Sequence, residues 1–151
     1  MKKTRYIVCL ILVASLAIGG TKLSAKTIRK SGCYHTAAVK NWKNSEYNLG
    51  PVLKKVKFKG NKVITYGSYN YRKKTNNYSG QKKLKKKKRT FKIASNCVYR
   101  EGAWTPGGEH SVTKKHFKNE LKKYMKWNTP CADFEIVVKK GKVVKMLLGQ
   151  G

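Results

Sequence analysis

The sequence predicts a mainly β domain (α+β in detail): a small barrel of five or more strands with one helix between the third and fourth core strands. Three observations carry that expectation. Apolar and polar residues alternate along several short runs, which is the period of a half-buried strand. Lys59-Gly60-Asn61-Lys62 and Lys140-Gly141-Lys142 stand between such runs as tight turns, with residues that tolerate positive φ. One apolar stripe at helical spacing, Phe117, Leu121, Tyr124 and Met125, follows the third run.

The chain has 151 residues, and its start reads as a signal rather than as structure. Met1 to Arg5 is cationic, Ile7 to Ile18 is an apolar run, Gly19-Gly20 breaks it, and Leu23-Ser24-Ala25 offers a small residue for cleavage. That is the layout of a secretory signal peptide. The apolar run of twelve is shorter than the roughly 20 residues a spanning helix needs, so no transmembrane span is expected after processing. Neither Cys9 nor Cys33 follows a lipobox. The expected organisation is residues 1–25 as signal peptide, 26–50 as an N-terminal segment with a possible extra strand, and 51–151 as the barrel domain. The expected location is secreted, in the extracellular space or at the cell wall.

Charge limits the partners. Lys and Arg number 36 against six acids, and removing residues 1–25 takes away four cations and no acid, leaving +26. A chain so cationic meets polyanions and anionic surfaces as a standing interaction. Arginine occurs only at positions 5, 29, 72, 89 and 100. Lysine acts as a hydrated point charge where arginine would give bidentate geometry, so attraction to charge is expected rather than readout of sequence. Cys33, Cys97 and Cys131 remain after processing. Three thiols allow one disulfide and one free cysteine, with Cys97 and Cys131 as the candidate pair because the end of strand three lies near the start of strand four. No C-x-x-C spacing exists and the histidines are scattered, so no metal and no cofactor is expected.

Along the chain, Cys33 to Val39 reads as a first or edge strand, and Trp42 and Tyr47 as packing residues. Val56 and Phe58 alternate with Lys55, Lys57 and Lys59 in the first core strand. Val63 to Arg72 forms the second, with Gly67 marking a bulge or bend. Arg72 to Gly80 and the block Lys82 to Arg89 then make a connection of about sixteen residues, long enough to suggest function. Seven of the eight residues from Lys82 to Arg89 are cationic, and such repulsion predicts a solvated loop or strand entry. The third strand, Thr90 to Arg100, places Phe91, Ile93, Ser95, Cys97 and Tyr99 on one face. Gly102 to Gly108 is a loop. Ser111 or Thr113 caps a helix running to about Met125, whose Lys114, Lys115, Lys118, Lys122 and Lys123 surround the apolar stripe. Phe134, Ile136 and Val138, then Val144, Met146 and Leu148, form the closing hairpin.

From about residue 52 to 149, this element order resembles that of the OB-fold, a five-stranded barrel used for oligonucleotides and oligosaccharides. The chain also resembles the lysine-rich secreted proteins of Gram-positive bacteria. Both resemblances are architectural and imply a binding role without naming a ligand.

Catalysis is not expected. The six acids stand singly, and no pair suggests a hydrolytic dyad. Glu109-His110-Ser111 and Cys33 with His35 are the thin candidates; a helix cap and a structural thiol explain them better. Binding has more support. Tyr66, Tyr69, Tyr71 and Tyr78 interleave with cations, the combination that holds single strands by stacking and charge. The candidate polyanion contacts are Tyr69, Tyr71, Arg72, Lys73, Lys74, Lys82, Lys83, Lys85, Lys86, Lys87, Lys88 and Arg89. The expected partner is an anionic polymer (wall polymer, glycan or nucleic acid) or an anionic cell surface, met by a monomer. The alternative is a protein-interaction or inhibitor module that its charge retains at the cell surface. The mature chain should begin at or near Lys26; N-terminal sequencing of protein recovered from culture fluid checks this, and an intact Met1 on the exported product overturns it.

Overall fold

A strand upstream of the predicted domain completes the sheet. The computed structural model describes residues 25–38, 50–74, 79–103, 106–126 and 132–150. Eight strands form one sheet with one helix. The short β1 (Thr27–Ile28) is followed by β2 (Gly32–Ala38), β3 (Val52–Lys59) and β4 (Lys62–Arg72). The long β5 (Lys82–Ala103) and β6 (His110–Val112) precede α1 (Lys114–Tyr124), and β7 (Ala132–Lys139) and β8 (Lys142–Gln150) close the order. Neighbouring strands run β5-β4-β3-β2-β7-β8, and β8 returns to β5 in parallel, so six strands make a ring.

The expected edge strand is therefore a full member of that ring. β2 pairs with β7 from Gly32 to Ala37 and with β4 from Cys33 to His35, and touches β3 in parallel at Ala37 and Ala38. The chain alternation around Tyr34, Thr36 and Ala38 gave too short a run to show two paired edges.

Two further expectations need correction. β5 begins at Lys82, so of the two expected states, solvated loop or strand entry, the lysine block takes the second, and the connection to β4 shortens to residues 73–81. Pairing with β4 supplies the backbone partners that offset the charge repulsion. In the last hairpin Val143, not Val144, is the buried residue. A register shift between Val137 and Val138 places Val143 opposite Val138. The β3–β4 hairpin, the Gly67 bulge and the helix stand where the sequence placed them. Trp42, Tyr47, Tyr78 and the signal segment 1–24 lie outside the described residues.

The interior is aromatic. Tyr34 lies with Tyr71 and Phe91 at centroid distances of 5.1 and 5.2 Å, and Tyr69 packs edge-on at 6.3 Å. The hydroxyls of Tyr34 and Tyr71 donate to the carbonyls of Lys30 and Ser31 at 2.9 and 2.7 Å, satisfying the polar ends that buried tyrosines carry. Gly32 passes so close to Tyr71 that a Cβ would stand 2.5 Å from the ring. Thr113 caps α1 by accepting from the His116 amide at 3.2 Å. The helix buries Phe117 and Leu121, with Met125 just past its end, as its stripe predicts, and Phe117 packs against Tyr99 and Phe134.

On the outer side of β2, Arg72 of β4 and Glu135 of β7 join in a buried ion pair beside Cys33. Removing one partner from such a pair typically costs about 3–5 kcal/mol, because the other is left charged in a dry site. Burial first, then the charge of Glu135, pushes the Cys33 thiol above its usual range.

The aromatic interior sets an alkaline limit. Burial, then the neighbouring Tyr71, pushes the Tyr34 phenol up from 10.0 to about 12, and burial also raises Tyr69 and Tyr99. The unfolded phenols release protons near 10 while the folded ones hold them, so stability is intact below pH 10 and falls as pH rises through about 12. Phenolate absorbance should show a group of tyrosines that stays un-ionised at pH 11 in the native protein and titrates normally in urea. A single normal titration in the native state would contradict it.

Candidate polyanion interface

The register of β3, β4 and β5 writes three rows across the outer face of the sheet. Lys59, Lys62 and Lys92 form one row, Lys57, Ile64 and Thr90 the next, and Lys55, Tyr66 and Lys88 the third. Directly opposed residues in antiparallel strands have Cβ atoms about 5 Å apart, and like charges so placed destabilise the pair. All six lysines are exposed, and they frame a stripe of Ile64 and Tyr66. Tyr66 is 38 % exposed, one of two large apolar side chains at the surface among the described residues. An anion laid across the rows relieves the repulsion that the fold builds in.

The carboxylates are elsewhere. The five acids among the described residues each face a cation: Glu101 with His116, Glu109 with Arg100 and Lys145, Glu120 with Lys123, Asp133 with His35, and Glu135 with Arg72. Residues 47–100 hold 17 Lys and Arg and no acid at all. That gap is the sequence signal that locates the face, and the lysine block alone does not convey it.

Arg89 has a different role from the lysines around it. Its side chain points inward with Phe91 and Ile93 and is 1 % exposed. One terminal nitrogen donates to the carbonyls of Gly67 at 2.6 Å and Lys87 at 3.3 Å, the other to that of Lys85 at 2.7 Å. The guanidinium carbon lies 5.2 Å from the Tyr69 ring centre. Those three carbonyls flank the place where the register of β4 on β5 shifts, between Gly67 opposite Lys87 and Tyr69 opposite Leu84. The fork thus holds a bulge in place and leaves Lys85, Lys86, Lys87 and Lys88 exposed.

The expected contacts divide accordingly. Lys82, Lys83 and Lys85 to Lys88 are exposed on β5. Lys73 and Lys74 line a separate hollow with Ser31, Val137 and Lys139. Tyr69, Tyr71, Arg72 and Arg89 are buried, which corrects their reading as surface contacts. Tyr69 and Tyr71 share the inward parity of Val63 and Thr65; Arg72 is held by Glu135, and Arg89 by the bulge carbonyls. Tyr66, of the opposite parity, is the ring the face presents.

Neither thin catalytic candidate comes together as a site. Glu109 faces Arg100 and Lys145, the His110 ring lies 3.4 Å from the Gly108 carbonyl, and Ser111 pairs with Arg100 in the sheet. His35 faces Asp133 at 3.2 Å, while Cys33 lies beside Arg72 and Glu135. Among the described residues no group of three or more His, Cys, Asp or Glu could hold a metal ion, and no helix is long and apolar enough to cross a membrane. Cys97 is a half-buried free thiol, and its expected partner Cys131 lies outside the described residues.

Compared with known proteins, the chain matches no family model, no curated protein and no solved structure.

The contrast between neighbours 88 and 89 is testable. Arg89→Lys keeps the charge but loses the fork, stranding buried carbonyls that cost about 1–3 kcal/mol each when left unmade. Urea unfolding should show it less stable by about 2–3 kcal/mol, with Lys88→Gln within about 0.5 kcal/mol of the parent, as for exposed substitutions generally. Equal effects at the two positions would refute the clamp.

Proposed function

We propose that this is a secreted, non-catalytic domain that holds polyanions by lysine electrostatics on the outer face of β3, β4 and β5, carried on an OB-like ring of strands. The observation that carries the reading is the set of three cross-strand rows, with six exposed lysines and no acid in that part of the chain. Each lysine is a point charge without fixed geometry. The ligand is therefore recognised as a line of anions (wall polymer, acidic glycan or nucleic acid backbone) and not by sequence. Tyr66 adds a ring against which a base or sugar can lie. The charge also supports retention at an anionic cell surface.

Replacing Lys55, Lys57, Lys88 and Lys92 by Gln tests the face against the helix variant Lys115, Lys118, Lys122 and Lys123 to Gln. With duplex DNA as the probe, each lost phosphate contact lowers the salt slope by about 0.9, so four lower it by up to about 3.6. The face variant should lose most of the slope, and the helix variant little. The reverse order would move the interface to α1. Unchanged slopes in both, with a protein partner retained at high salt, would favour the protein-interaction reading.

A further inference from the structure

Beside the lysine rows lies a groove that a simple polyanion site does not need. Its volume is about 670 Å³. It brings together β3 from Lys54 to Lys57, the stretch Ile64 to Tyr66 of β4, Lys88, and the end of α1 at Lys122 and Met125. Half of its ten lining residues are lysines and none is acidic. The rest are Val56, Ile64, Thr65, Tyr66 and Met125; Ile64 and Tyr66, on the outer face with Lys55, Lys57 and Lys88, form its apolar floor, while Val56 and Thr65 have the inward parity.

A phosphate chain gains nothing from such a floor. A nucleobase needs partners for its edge, and the groove offers no Asn, Gln, Asp or Glu to supply them. Lysine stems lie along apolar surface while their heads stay in water, so the five lysines extend the floor and put their charges at its rim. The volume lies within the range of small-ligand sites, which are mostly apolar with a few placed polar groups. Charge complementarity and the apolar floor together describe a molecule with one anionic head and one alkyl chain.

We propose that this groove binds a single-chain anionic amphiphile, an alkyl phosphate in its simplest form. The chain lies over Ile64 and Tyr66, and the phosphate stands among the rim lysines. The headgroup half of the assignment rests on the polyanion reading, because Lys55, Lys57 and Lys88 belong to both. The alkyl half rests on the groove alone. No bond forms or breaks.

The test is calorimetric titration of the whole protein with octyl, decyl and dodecyl phosphate below their micelle concentrations. Dodecyl maltoside, inorganic phosphate and an Asp/Glu-rich peptide are titrated alongside. If the chain is buried, affinity should rise about threefold to fourfold per added methylene. The maltoside and inorganic phosphate should each bind at least tenfold more weakly than dodecyl phosphate. Ile64→Ser should flatten the chain-length dependence, bringing the affinity for dodecyl phosphate down towards that for octyl phosphate. Equal affinity for octyl and dodecyl phosphate would overturn the proposal, as would equal affinity for the maltoside. Tighter binding of the acidic peptide would make the groove a peptide site and overturn it too. Heparin binding retained in any of these cases leaves the polyanion reading standing. Loss of heparin binding by the parent would remove that reading separately.

Discussion

The surface chemistry of this protein depends on one guanidinium that meets no carboxylate among the described residues. Arg89 lies inside the ring and gives its protons to three backbone carbonyls at the register shift between β4 and β5. Sheet registers of period two are unforgiving. A slip of one residue turns every side chain to the other face. Such a slip here would carry Phe91 outward and Lys88 and Lys92 into an aromatic interior. The guanidinium prevents it because its planar fork fits carbonyls on both strands, and an ammonium has no such geometry. The most buried cation of the block is what keeps the others in solvent.

The distribution of charge follows from the same economy of acids. Five described carboxylates lie on the β2, β5, β7 and helix side of the molecule, or in the loop before β6, each facing a cation. None remains for β3 and β4. The outer face therefore keeps its repulsion in the folded state, which lowers stability by itself. The aromatic interior and the Arg72–Glu135 pair across β2 hold the ring against that repulsion. The tolerance of an unneutralised face is the feature that distinguishes this fold from an ordinary small β domain.

Much of this was legible in the chain itself. Lysine alternating with Val56 and Phe58 announced β3, Gly60-Asn61 its turn, Thr113 and the Phe117–Leu121–Met125 stripe the helix. The site was legible only in part. A run of lysines conceals its own period, because alternation shows only where the two faces differ in polarity. Lys82 to Lys88 thus read as a solvated loop or strand entry with no face assigned, and the bulge at Lys85 and Lys86 hides the parity further. Parity counted back from Phe91 does put Arg89 inside, and parity counted from Val63 puts Tyr69 and Tyr71 inside with Tyr66 outside. The role of β2 was not readable, because its partners lie far along the chain in β4 and β7.

That distance has a consequence for how the ring comes together. Gly32 of β2 sits opposite Val138 of β7, over a hundred residues apart in sequence. β2 is made well before its partner β7, so one of its two edges stays open until β7 follows. The β3–β4 and β7–β8 hairpins can form locally, but the closure that joins them is among the most non-local contacts in the molecule, and such contacts slow folding. Until then the strand carrying Cys33 and Tyr34 offers an unpaired edge and an uncovered inner face. The same closure that gives the finished ring its few open edges makes the half-made chain dependent on staying unfolded, or on being held, until its last strands arrive.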